Sequence, residues 1–125
     1  MTNINETLLK YVNEIGGNQK FWDAKYKRSN DTIKNKIGSN NIRELAVLAL
    51  NADCYEEFKL FIKYKTAKGN GWEAYFDEGE RFGDAIIRYI DKIYEASNKN
   101  DKEALQNISR FFGYLYWKKR IIGDK

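Results

Sequence analysis

The clearest hydrophobic period in the chain runs through DAIIRYIDKIYEA, residues 84–96, where Ile86, Ile87, Ile90, Ile93 and Tyr94 share one side of a helical repeat. Leu8, Leu9, Val12 and Ile15 repeat similarly and predict a first helix, capped by Asn5 and stopped by Gly16. KFWDAKYKR predicts a short second helix from about Asn18, followed by a cluster of turn formers in SNDTIKNKIGSNN. Ser39 opens NIRELAVLAL, an amphipathic helix start. Asp53 followed by Glu56 reads as a start resembling a capping box, leading CYEEFKLFIKYKTAK to its end at Gly69. The stretch GNGWEAYFDEGERFG is broken by glycines and reads as loop or irregular helix. Asn100 with Glu103 starts a last helix that runs to about Ile121. No period-two alternation, repeat or low-complexity linker interrupts this series. The expected fold is an all-α, single-domain bundle of about five helices over residues 1–125, with 1–36 as a candidate separate helical arm.

The last helix carries a puzzle. SRFFGYLYWKKR, residues 109–120, packs five aromatic rings and four cations into twelve positions. On a wheel of about 100° per residue, Ala104, Leu105, Ile108, Phe111, Phe112, Leu115 and Ile122 fall in one core sector. Tyr116 sits at its edge. Arg110, Tyr114, Trp117 and Arg120 fall on the opposite side. That outer face has three competing readings: burial by further helices, a protein interface anchored by Trp, Tyr and Arg, or RNA contact through ring stacking and arginine–phosphate pairs.

The helix after Asp53 turns Cys54, Phe58, Phe61 and Ile62 inward and Lys59, Lys63 and Thr66 outward. Lys65 and Lys68 suit the negative end of its dipole, an explanation that does less for Lys59 and Lys63 two turns back. Arg43 stands in the first turn of its helix against the dipole's preference. It is either paired with Glu44 or Glu56 or kept for a partner.

Composition narrows the chemistry. The 125 residues make one domain with room for one core, without proline, without a run of eighteen apolar residues and without a leader pattern. The single cysteine, Cys54, fits a reducing compartment, with cytoplasm as the default. Without histidine the chain lacks the commonest general base and metal ligand, so zinc sites and Ser–His or Cys–His pairs are excluded. No glycine-rich phosphate loop is present. The expectation is a protein that is not an enzyme and carries no metal or cofactor.

Net charge is +4, in blocks. Residues 20–43 hold seven Lys/Arg against two acids, 59–68 four lysines and no acid, and 104–125 five against one, while 69–103 hold nine acids against five basic residues. Folded, these blocks give either separate basic and acidic faces or ordinary surface charge.

With these residues placed, the chain resembles the small helical subunit of type III-A CRISPR–Cas (Csm) effector complexes. That family opens a helix with Thr-Thr-Ser-x-x-Arg, and GSNNIR places Ser39 and Arg43 comparably. It ends another with Tyr-x-Ala-Gly-Arg after a basic residue, and KLFIKYKTAKG offers Lys59, Tyr64, Ala67 and Lys68, with the glycine displaced to 69. Its closing helix resembles NDKEALQNISRFFGYLYWKK at Asp101, Glu103, Leu105, Gln106, Arg110 and Phe111. The likeness covers roughly 37–121. It departs at Gly113 and Tyr114, where the family has Glu-Ala, and in the acidic 72–84 insert.

The resemblance implies a non-catalytic antiviral-defence subunit, present in several copies, that lines the channel beside guide RNA and target RNA and touches backbone without reading sequence. On that reading Arg43, Lys59, Lys63, Lys68 and Arg110 are the expected phosphate contacts, and Tyr114, Trp117 and Arg120 the contacts to copies and other subunits. No membrane is involved. The alternative is a small helical protein-binding module, such as a phage-encoded inhibitor or an immunity protein, with no RNA role. Convergence of the basic blocks on one face favours the first, scatter the second.

Overall fold

The computed structural model describes residues 3–22, 37–69 and 71–123. Its elements are α1 (Ile4–Gly16), α2 (Gln19–Trp22), α3 (Ser39–Asn51), α4 (Tyr55–Lys68), β1 (Tyr75–Asp77), β2 (Glu80–Arg81), α5 (Phe82–Ala96) and α6 (Asp101–Ile122). The expected all-α bundle is what the chain forms. One small exception is the antiparallel hairpin β1–β2, with Tyr75 opposite Arg81 and Asp77 opposite Glu80. Strands this short leave no legible alternation. The rest of the expected second helix and most of the turn-former cluster, residues 23–36, lie outside the described residues. No described helix is long and apolar enough to cross a membrane.

Helix ends follow local hydrogen bonding. Asn3, not Asn5, caps α1, accepting the Asn5 N–H at 2.8 Å, a bond of a kind that contributes about 1 kcal/mol. Gly16 is the last residue of α1, as expected, but it is not left-handed, and Gly17 forms the cap; the stem of Lys118 lies 2.7 Å from where a Cβ of residue 16 would stand. The capping box expected from Asp53 and Glu56 is displaced by one residue: Glu57 accepts the Asp53 N–H at 2.6 Å. The carboxylate of Asp101 then takes the Tyr55 N–H at 3.2 Å, tying the starts of α4 and α6 together. The start of α6 is as expected, with Asn100 accepting the Glu103 N–H at 2.8 Å.

Helix α6 is the hub. It packs most extensively on α3, then on α1, and more lightly on α5 and α4. Ser109 Oγ donates to the Ala46 carbonyl at 2.7 Å while Arg43 lies over Tyr116, so α3 and α6 run antiparallel. Arg110 reaches Asn5 and Lys118 reaches Gly16, so α1 runs parallel to α6. Phe111 and Phe112 are fully buried between these layers. Each such ring contributes roughly 1.5–3 kcal/mol of burial. Helix α4 packs on α5, where Thr66 sits in the space left by Gly83.

The glycine-broken stretch, expected as loop or irregular helix, forms turns and the β1–β2 hairpin, and it contributes three rings to the core. Trp72, Phe76 and Phe82 are buried and gather Phe21 and Trp22 of α2, with Phe21 stacked on Phe82 at 4.8 Å. Four positions expected inside are not fully so. Leu9 is 42% and Ile122 38% exposed, because each lies at the margin of its helix's contact face; Phe61 and Cys54 are half-buried.

Candidate nucleic-acid interface

The wheel of the last helix describes its packing. Ala104, Leu105, Ile108, Phe111, Phe112 and Leu115 are buried, and Tyr116 is half-buried at the edge. Arg110, Trp117 and Arg120 are exposed, Trp117 by 62%. Tyr114 is half-buried instead of outward, packed against the core with its ring 5.7 Å from that of Trp117. No further helix covers this face among the described residues.

Arg43 borders this face from α3. Its guanidinium lies 5.6 Å from the Tyr116 ring centroid, and neither Glu44 nor Glu56 pairs with it. Arg110 donates to Asn5 Oδ1 at 3.1 Å, a neutral partner that leaves its charge uncompensated. Residues 104–123 contain no acid at all. Of the expected site residues, Arg110, Trp117 and Arg120 therefore share the outer side of α6, bordered by α1 where Arg110 meets Asn5 and by α3 where Arg43 lies over Tyr116, with Tyr114 beneath its rim.

The α4 lysines stand elsewhere. α4 meets α6 through Phe58 and Phe112, whose centroids are 5.8 Å apart. Phe112 is five residues before Trp117 and so about 140° round the helix from it. Lys63 and Lys68 are exposed, Lys68 lying 5.8 Å from the Tyr64 ring centroid. Lys59 is half-buried and engaged: its Nζ is 3.1 Å from Asp91, whose carboxylate also accepts the Tyr55 hydroxyl. Tyr55 stacks on Tyr94 at 4.3 Å, and burial, then the bond to Asp91, raises its phenol above the ordinary range. Lys59 thus neutralises a carboxylate at the α4–α5 contact.

Two side chains, Asp91 and Lys119, have roles that were not evident in the sequence. Asp91 looks like any outward acid of α5, and only the α4–α5 packing reveals it as the partner of Lys59. Lys119 is 7% exposed, its stem buried and its ammonium over the Trp22 ring. Gly113 sits mid-α6, on the outer face between Arg110 and Trp117.

Among the described residues no group of three or more Cys, Asp or Glu could hold a metal ion. The geometry offers charge, rings and exposed apolar side chains, which suits binding. Compared with family models, curated proteins and solved structures, the chain finds no match.

Proposed function

We propose that the chain is a non-catalytic, cytoplasmic small subunit of a type III RNA-guided effector complex that holds the backbone of guide and target RNA. The observation that supports this reading is the outer side of α6, a helix without acids from 104 to 123: Arg110, Trp117 and Arg120 are exposed there, with Arg43 of α3 at its Tyr116 edge. Arginine contacts to phosphate position a strand without reading its bases and make binding salt-dependent. Exposed apolar side chains on two different helices, Val47 and Leu50 on α3 and Leu60 and Tyr64 on α4, suit packing against copies and other subunits. Lys63 and Lys68, exposed on α4 but about 140° apart round it, are separate cations away from the arginines. Lys59 is withdrawn from the phosphate contacts.

The test is a titration of two unrelated single-stranded RNAs at low and moderate salt. Affinity should be alike for both and fall with salt. Affinity confined to one sequence, or indifferent to salt, counts against the reading. The separation of the α4 lysines from the arginine face favours a second reading, a helical module that binds another protein and no RNA. That reading predicts no RNA binding even at low salt.

A further inference from the structure

Gly113 lies in the middle of the longest helix, where glycine is less stable than alanine. Packing does not require it: a Cβ built at this position meets nothing within 4 Å. Nor does backbone conformation, since its φ is not positive. Contrast Gly83, whose missing side chain is needed by Thr66, 1.6 Å from where a Cβ would stand. At Gly113 the fold gains nothing from the absent side chain. What the absence does provide is bare helix backbone, one turn from both Arg110 and Trp117, on a face that is otherwise cationic.

Trp117 fits the same picture. Its indole is 62% exposed, touches Tyr114 at a tilt of 48° with centroids 5.7 Å apart, and is flanked by Arg110 two turns before and Arg120 one turn after. A large ring with that exposure, between cations and without a nearby acid on its own helix, is what stacking on a nucleobase requires. A base on the indole would bring its ribose and phosphate over position 113, and any side chain there would hold the strand away.

We infer that Gly113 and Trp117 form a stacking platform for an unpaired RNA base, with Arg110 taking a flanking phosphate. The inference rests on the RNA-binding reading above and adds to it that the contact here is to a nucleotide outside a duplex. A fully paired guide–target helix has no base free to occupy it.

Fluorescence tests this directly on the full chain, because Trp22 (9% exposed) and Trp72 (1%) are buried, leaving Trp117 as the exposed reporter among three tryptophans. Oligouridylate and oligoadenylate single strands, and an RNA duplex of equal length, are titrated while quenching and labelled-RNA anisotropy are followed together. Single strands should quench in step with binding, and the duplex should not. Trp117→Ala should weaken single-strand binding roughly five- to a hundredfold, and Trp117→Phe should restore most of it. Gly113→Ala should raise the melting temperature yet weaken binding. Salt-dependent RNA binding without quenching, with Gly113→Ala binding as the parent does, would overturn the platform and leave the RNA reading standing. Absence of RNA binding, with the fluorescence instead changing on self-association, would overturn both.

Discussion

Three neighbouring positions on α6 should respond to alanine in three different directions. Phe112 is fully buried, its ring 5.8 Å from Phe58 and 5.1 Å from Phe111 by centroid. Truncation removes ring contacts on two sides and leaves a cavity that rigid helices can only partly close, at about 3–5 kcal/mol. A domain of this size has only about 5–15 kcal/mol to lose, and each kcal/mol moves its midpoint by about 4 °C. Phe112→Ala should therefore melt roughly 12–20 °C lower. Trp117, 62% exposed, meets little beyond Tyr114, so Trp117→Ala should stay within about 0.5 kcal/mol of the parent. Gly113→Ala adds a methyl in open space and removes a helix-interior glycine, and should gain up to about 1 kcal/mol, or about 4 °C. Thermal unfolding followed by far-ultraviolet circular dichroism reads all three. Equal destabilisation by Phe112→Ala and Trp117→Ala would mean that the outer face is also core. A destabilised Gly113→Ala would mean that some internal contact needs the glycine. Either result refutes the division of this helix into a buried and a presented face.

Two further outcomes concern the polar contacts. Lys59→Ala should cost about 1 kcal/mol, because it strips Asp91 of a partner at a contact still partly open to solvent, while Lys63→Ala should leave the melting curve unchanged; the reverse order would return Lys59 to the surface set. At alkaline pH, the Tyr89 phenol is pushed up to about 12 by burial and by its bond to Glu14 at 2.8 Å, and Tyr55 is raised as well. Both are neutral in the fold, so their stabilising effect is complete below about pH 10, the unfolded value, and is lost as pH rises towards 12. Part of the tyrosinate absorbance should then appear only as helical signal disappears, and Tyr89→Phe should reduce that part; ionisation of every tyrosine before any unfolding would contradict it.

Long-period features were legible in the sequence and short-range ones were not. α5 and α6 could be read because a helix that buries one face must repeat its apolar residues, and Ile86, Ile90, Ile93, Phe111, Phe112 and Leu115 do. Helix ends shifted by a residue or two, as at Asn3 and Glu57, since several adjacent polar groups compete for the same free N–H groups. The aromatic knot of Trp72, Phe76 and Phe82 was hidden because its order comes from contacts with α2, far away in sequence. The candidate site divided in the same way. Arg110, Trp117 and Arg120 followed from one wheel, and α3–α6 packing brings Arg43 to their edge. Lys59 and Lys63, one turn apart, looked alike until Asp91 supplied the difference, which no single helix can show.

If Arg43 and Arg110 are phosphate contacts, the salt slope of RNA binding must register both. For a single strand, the logarithm of the affinity falls against the logarithm of salt by about 0.7 per phosphate neutralised. Arg43→Ala and Arg110→Ala should each make the slope shallower by about that amount, equally for RNAs of unrelated sequence. Lys59→Ala should leave the slope as it is. Slopes unchanged by either arginine replacement, or a shallower slope from Lys59→Ala alone, would contradict that assignment.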